Sequence, residues 1–265
     1  MRYKILDTVI EVHGSILLLK SWEAFKSEEE PEIWVDVFLC GRDEYGMEIF
    51  DIDQMSHSIK NEDSILFANT DWSRGRIYGN DAFQVGGLIE MMLYSYGLDK
   101  GTLLFHSSCI AYQEKGVLFL GPSGIGKTTQ AEIWKRYKNA SILNGDLVFI
   151  KQEIDGFYAY GSPWHGSSPY YENSKVKVKM MVTLKQGSKN TVQKLSGFSV
   201  LQNILEQVFL PTWYPKGMDV SLHTLDMLLE DVPVYHLVNK ADEECVELLE
   251  KVFMNVGGNE YVKSR

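Results

Sequence analysis

The sequence predicts an α/β fold whose main part is a mixed β-sheet with helices, preceded by a small β-rich region. Residues 1–80 hold short segments rich in β-branched and aromatic residues, separated by Gly, Asp and Asn. Residues 81–265 alternate apolar strand candidates with helical patterns, and a glycine-rich turn joins a strand to a helix at residues 121–128. With 265 residues, of which 45% are hydrophobic, the chain can bury a sizeable core.

In the first region we expect strands at residues 3–12, 33–39, 47–52 and 64–69. In the second region Asp81 is expected to cap a helix that runs to Tyr96 and stops at Gly97, with Phe83 on its buried side. Further strands are expected at residues 102–111, 116–120, 140–143, 147–151, 157–160, 175–184 and 234–238. Further helices are expected at residues 127–138, 200–209, 220–229 and 242–253.

Composition and charge exclude several classes of protein. The net charge is −10 and the pI is about 5.1, whereas nucleic acids and anionic membranes are bound by clustered Lys and Arg. We therefore expect neither as a partner. No apolar run reaches the roughly 18 residues of a membrane helix, and the N-terminus does not resemble a signal peptide. The three cysteines, Cys40, Cys109 and Cys245, lack CxxC spacing and are expected to be reduced thiols in a cytoplasmic protein.

The glycine-rich turn matches the phosphate-loop pattern G-x-x-x-x-G-K-[ST] without a mismatch. Glycines let backbone N–H groups surround phosphates, Lys127 supplies a cation to the β- and γ-phosphates, and the Thr128 hydroxyl can ligate Mg²⁺. The expected ligand is ATP with Mg²⁺. The residues expected to contact it are Gly121, Pro122, Ser123, Gly124, Ile125, Gly126, Lys127, Thr128 and Thr129.

Asp146 ends a short apolar strand nineteen positions after Lys127. A carboxylate at that place can hold Mg²⁺ directly or through water, as such an aspartate does in phosphate-loop enzymes. Asn144-Gly145-Asp146 is also a common turn composition, so a purely structural role for Asp146 is the alternative.

A resemblance to a known family rests on three features: the stretch His106-Ser107-Ser108-Cys109, which begins fifteen residues before Gly121, the loop itself, and Asp146. This segment resembles HPr kinase/phosphorylase and is similar to the phosphate-loop region of ATP-dependent phosphoenolpyruvate carboxykinase. The resemblance covers about residues 100–185 and implies a phosphate-loop core on a mixed β-sheet. The chain looks most like the small HPr-kinase-like proteins found beside peptide-modification genes. That likeness implies a kinase for a serine of a peptide or small protein, and a tendency to form homo-oligomers.

The resemblance carries over residue by residue, with one departure. Lys127, Thr128 and Asp146 match, and Asp146 corresponds to the metal-binding second acid of an Asp-Asp pair. Gly145 replaces the first acid, which in the family is thought to act as the general base. His106 would lie near the γ-phosphate or the metal, and His165 takes about the place of a family arginine; either histidine is alternatively a structural residue.

Three functions follow from these features. The leading one is an ATP- and Mg²⁺-dependent kinase, with His106, Lys127, Asp146 and His165 as the candidate catalytic residues. The loss of the acid at Gly145 favours a second, a nucleotide-binding regulatory protein that has lost catalysis. The third is a small-molecule phosphotransferase or carboxykinase-like enzyme, although no clear set of arginines for a substrate carboxylate is present.

Overall fold

The computed structural model describes residues 1–14, 18–38 and 55–256. The predicted strand at residues 47–52 and Cys40 lie outside these ranges. The described chain is α/β and contains two mixed β-sheets. No helix in the described ranges is both long enough and apolar enough to cross a membrane.

The first sheet is built from the N-terminal part of the chain. Its six strands lie in the order β1-β2-β3-β6-β5-β4, and a 3-10 helix, Lys20–Phe25, follows β2. Their bounds are β1 Arg2–Ile5, β2 Thr8–His13, β3 Ile33–Phe38, β4 His57–Asn61, β5 Ser64–Ala68 and β6 Arg74–Tyr78.

The predicted single strand at residues 3–12 is wrong, because it is a hairpin. Leu6 and Asp7 both have a φ of 59° and turn the chain between β1 and β2. Such a left-handed pair forms the tight turn that best matches the twist of two antiparallel strands. β4 and β6 have no counterpart in the prediction, whereas β3 and β5 confirm theirs to within one residue at the C-terminal end.

Helix α1, Ala82–Leu98, connects the two sheets. The Asp81 side chain accepts a hydrogen bond from Gln84 N at 2.9 Å, which confirms the predicted N-cap. Two details of the prediction are wrong. Phe83 is 71% exposed, and Gly97 lies inside the helix, where a Cβ would come within 2.8 Å of Thr102 Oγ1. Close packing on the next strand, rather than helix termination, accounts for this glycine.

The second sheet has the order β11-β10-β7-β8-β12-β14-β13, with β9 paired to β7. Because β11 also pairs with β12, strands β7, β8, β12, β11 and β10 close into a ring of pairings. The strands are β7 Thr102–Tyr112, β8 Lys115–Leu120, β9 Ser141–Asn144, β10 Leu147–Glu153, β11 Gly156–Tyr160, β12 Lys175–Gln186, β13 Thr191–Lys194 and β14 Val234–Asn239.

Four helices accompany this sheet: α2 Lys127–Lys138, α3 Phe198–Ile204, α4 Pro215–Asp231 and α5 Glu243–Asn255. Helix α2 confirms its predicted bounds, while α3 ends five residues earlier than predicted and gives way to a short 3-10 turn. Strand β13 was not predicted. Cys109 and Cys245 are buried free thiols.

One hydrophobic cluster runs from the first sheet through α1 into the second sheet. It contains Trp22 and Ile33 of the N-terminal part, Leu88 of α1, and Phe149 and Trp164 of the second part. The N-terminal region therefore shares a core with the strands around the candidate site. The division of the chain at residue 80 stays a prediction.

Candidate functional site

The turn between β8 and α2 has the backbone that its glycines predict. Gly121, Gly124 and Gly126 have φ values of 145°, 78° and 110°, all in the region that side-chain-bearing residues rarely adopt. Two side chains from elsewhere hold the turn. Gln207 Oε1 accepts from Gly121 N at 3.2 Å, and Gln186 Nε2 donates to Ile125 O at 3.3 Å.

Lys127 begins α2 and folds back onto this turn. Its Nζ donates to Gly121 O at 2.9 Å and to Pro122 O at 3.4 Å. Burial lowers the pKa of the ammonium group, and the negative charge of Asp146 acts in the opposite direction. Lys127 is buried, and its ammonium group donates to backbone carbonyl oxygens; a phosphate oxygen in their place would be the stronger, charge-assisted acceptor.

Thr128, the next residue, connects helix α2 to Gly145, which lies between strands β9 and β10. Thr128 Oγ1 donates to Gly145 O at 3.1 Å. From strand β7, the fully buried Ser108 donates its hydroxyl hydrogen bond to Lys127 O at 2.8 Å. The start of α2 is therefore fixed against both β7 and residue 145.

Asp146 lies where one long strand is interrupted. Strands β9 and β10 both pair antiparallel with β7, and only Gly145 and Asp146 separate them. The buried Asn144 holds the interruption, because its Oδ1 accepts from Asp146 N at 2.8 Å and from Leu147 N at 3.1 Å.

His106 is paired with Asp146. Leu147 lies opposite His106 in the sheet, and His106 Nε2 is 3.1 Å from Asp146 Oδ1. The hydrogen bond from His106 is the largest cause of the lowered pKa of Asp146, and the charges of Lys127 and His165 contribute to it. Asp146 is thus an oriented carboxylate that stays ionised at neutral pH.

The space beside Gly145 is filled by another residue. A Cβ added to Gly145 would overlap the Ser168 hydroxyl and would lie 2.5 Å from Ser168 Cβ. Ser168 therefore occupies the room that an acidic side chain at position 145 would need.

A cavity of about 250 Å³ brings most of the predicted residues together. It is lined by His106, Ser123, Gly124, Gly126, Lys127, Thr128, Thr129, Gly145, Asp146, Ser167 and Ser168. A neighbouring cavity of about 350 Å³ shares Gly126 and Thr129 with it and is also lined by Ile125, Gln186 and Asn239. Pro122 borders neither of these two cavities, but its carbonyl oxygen accepts from Lys127.

His165 does not line the 250 Å³ cavity. Its ring lies 4.7 Å from that of Tyr171, and Nδ1 makes a very short hydrogen bond to Ser168 O. It borders a separate cavity of about 700 Å³ that shares Asp146 with the first one. Its neighbour Trp164 is packed inward and donates to Gly86 O at 2.8 Å, which fits the alternative that His165 is a structural residue.

Sequence reasoning gave no individual role to three residues of this region: Asn144, Ser168 and Glu90. Glu90 is half-buried on α1 and lines the 700 Å³ cavity. Its desolvation and the nearby charge of Asp146 raise its pKa to about 8. One signal was available, because Glu90 is the sole charged residue in the otherwise apolar and polar sequence of α1.

The fold and the site together define an α/β chain with mixed sheets and a phosphate-loop sequence between β8 and α2. No family model and no curated protein matches the sequence. Among solved structures, the chain is similar to the Hpr(Ser) kinase/phosphatase from Coxiella burnetii, at 11% sequence identity and a TM-score of 0.35. That alignment covers 58% of this chain and 99% of the other. A likeness this distant carries no argument about function, which has to be argued from the residues of this chain.

Proposed function

We propose that this protein binds ATP with Mg²⁺ on the turn at residues 121–128 and transfers the γ-phosphate to a serine hydroxyl of a peptide or small protein. One observation carries the proposal. Lys127 and Thr128 of α2, His106 of β7 and Asp146 between β9 and β10, which come from three separate parts of the fold, line one polar cavity at the N-terminus of α2. A helix N-terminus with free backbone N–H groups and a nearby cation favours phosphate.

We assign different parts of the nucleotide to the two neighbouring cavities. We assign the triphosphate to the 250 Å³ cavity, which holds Lys127. We assign the base and ribose to the 350 Å³ cavity, because it continues from Gly126 and Thr129 and offers amide groups from Gln186 and Asn239.

The residues present fit a magnesium ion. In the described ranges, no group of three or more His, Cys, Asp or Glu side chains is placed to hold a metal. Mg²⁺ bound with a nucleotide needs fewer protein ligands, because phosphate oxygens and water complete its shell. Thr128 Oγ1 and the Asp146 carboxylate would hold it, and it would supply positive charge that neutralises the phosphates during transfer.

The chain's own groups would orient the reaction and stabilise its charge. Lys127 and the backbone N–H groups of the turn gather the phosphate oxygens, while His106 keeps Asp146 ionised and fixed in direction. Ser108 fixes the helix start on which Lys127 depends. Such positioning supplies most of the catalysis in phosphoryl transfer.

A labelled-phosphate assay tests the proposal. Wild-type protein is incubated with γ-labelled ATP, Mg²⁺ and serine peptides, beside Asp146→Asn and the surface control Asp99→Asn. We expect labelled phosphoserine with wild type and Asp99→Asn, and a loss of about 100-fold or more with Asp146→Asn. Tight ATP binding without transfer to any hydroxyl acceptor would contradict the kinase.

A second candidate is a nucleotide-binding regulatory protein without transfer, which the absent acid at Gly145 favours. A test of this second candidate has to take account of Ser168, which fills the space beside Gly145. Because Ser168 blocks a side chain there, Gly145→Asp has to be combined with Ser168→Gly. Transferase activity in the double variant, absent from the parent, would establish this alternative.

A further inference from the structure

The 700 Å³ cavity meets the proposed phosphate site at one residue. Asp146 lines both cavities, with the phosphate turn on one side and the larger cavity on the other. The larger cavity lies between α1, the Trp164–Gly166 segment and residues Leu19 and Trp22 of the N-terminal region. A group placed in it next to Asp146 would therefore face the reacting phosphate.

The walls of this cavity are aromatic and acidic. Trp22, Trp164 and Phe83 supply the aromatic surface, and Glu62, Asp81, Glu90 and Asp146 supply carboxylates. Among its lining residues within the described ranges, there is no lysine or arginine. Such a lining favours an occupant with apolar groups and a positive charge over an anionic one.

Two of the carboxylates already accept hydrogen bonds from Gln84. Gln84 Nε2 donates to Glu62 at 2.8 Å, and Asp81 caps α1. Glu90 differs from them, because among the described residues none donates a hydrogen bond to its carboxylate. It is half-buried, and the charge of Asp146 acts on it, so the two acids lie close enough to influence each other.

We propose that this cavity, here called the acceptor cavity, holds a serine that has a lysine or arginine beside it, and that Glu90 takes the proton of the serine hydroxyl. This inference rests on the proposed kinase function and names its acceptor class and its base. Glu90 would supply from α1 the carboxylate that position 145 lacks. Its pKa of about 8 supports the role, because a base acts best when its pKa lies near the working pH.

The proton and the phosphate move as follows. The Glu90 carboxylate removes the hydroxyl proton as the serine oxygen forms a bond to the γ-phosphorus. The bond between that phosphorus and the oxygen bridging it to the β-phosphate breaks, and its electron pair leaves with ADP. Glu90 then releases its proton to solvent, which completes the transfer without a further reactant.

Binding of peptides without nucleotide tests the cavity independently of catalysis. Three peptides of equal length, each with one serine flanked by lysine, glutamine or glutamate, are titrated into wild type, Glu90→Gln and the exposed control Glu247→Gln. Calorimetry gives the Kd values. We expect wild type and Glu247→Gln to bind the lysine peptide about tenfold or more tightly than the glutamate peptide. At pH 9, above its pKa of about 8, Glu90 is ionised, so Glu90→Gln, which is nearly isosteric, is expected to lose most of that preference in titrations at this pH. An equal affinity for all three peptides would overturn the inference.

Transfer of labelled phosphate to the lysine peptide tests the role of Glu90 as the base. Glu90→Gln is expected to lower kcat by about 100-fold or more, the usual contribution of a general base, while the Kd for ATP changes less than about twofold. Glu90→Asp is expected to restore part of kcat and to shift its pH profile. An unchanged kcat in Glu90→Gln would overturn the inference that Glu90 is the base, and it would not contradict the proposed kinase function. Charge-selective peptide binding without any transfer by wild type would support the cavity and overturn both the kinase and the base.

Discussion

The stability of the site depends on Asn144, which is fully buried between β9 and β10. Its Nδ2 donates to Ser162 O at 3.1 Å, Ser162 Oγ at 3.2 Å and Trp164 O at 2.9 Å. Its Oδ1 accepts from the backbone N–H groups of Asp146 and Leu147. Asn144→Ala would remove all of these bonds and leave buried polar groups without a partner.

The magnitude follows from the number of groups that lose a partner. A lost internal hydrogen bond costs about 1 kcal/mol, and each unsatisfied buried group costs about 1–3 kcal/mol. Because Trp164 O keeps the hydrogen bond from Ser162 Oγ, not every group loses its partner, and we expect the free energy of unfolding to fall by about 2–4 kcal/mol. Urea unfolding followed by tryptophan fluorescence measures this change.

Asn190→Ala is the matched control. Asn190 also donates twice and accepts a backbone N–H, but it is only half-buried. Water replaces its bonds, so its removal is expected to cost less than about 1 kcal/mol. If Asn144→Ala cost no more than Asn190→Ala, the reasoning about buried partners at the strand break would be refuted.

Two further predictions concern α1 and the His106–Asp146 pair. In α1, Gly87→Ala is expected to raise the free energy of unfolding by about 0.5–1 kcal/mol, because the new methyl group meets nothing closer than 4.0 Å. Gly97→Ala is expected to lower it, because the methyl group would press on Thr102; equal effects of the two in urea unfolding would contradict the packing. His106→Asn is expected to raise the pKa of Asp146, measured by NMR titration of its carboxyl carbon, and an unchanged pKa would show that the pair does not form. Since the folded-state pKa of Asp146 lies below 3.8, the stability it contributes is present above that pH and is lost as the pH falls through the lowered pKa.

The sequence was informative where a local pattern decides the structure. The phosphate-loop motif located helix α2 to the residue, because glycines, the following lysine and Asn139 in a left-handed C-cap all act over short distances. The strand expected at residues 175–184 is confirmed by β12, which begins with Lys175, Val176, Lys177 and Val178, and in this alternation the two valines are buried. Strands β4 and β6 were missed because His57–Asn61 and Arg74–Tyr78 are largely polar and become strands by pairing with β5.

The candidate site was only partly predictable, because its geometry comes from distant pairings. Asp146 was expected from its spacing after Lys127, but its hydrogen bond to His106 depends on the register of β10 on β7. Glu90 reaches the same region from α1, although it lies 31 positions before Gly121 in the sequence. No local sequence pattern predicts that Glu90 lies near Asp146. This proximity results from the packing of α1 against the second sheet.

The central claim is that residues 121–128 hold the phosphates of ATP. Calorimetric titration of ATP in the presence of Mg²⁺, into wild type and into Lys127→Ala, tests it most directly. We expect wild type to bind one ATP per chain and Lys127→Ala to bind at least about tenfold more weakly, because a buried ammonium contacting phosphate contributes at least about 1.4 kcal/mol. Equal affinity of the two proteins, or no binding by wild type, would contradict the account.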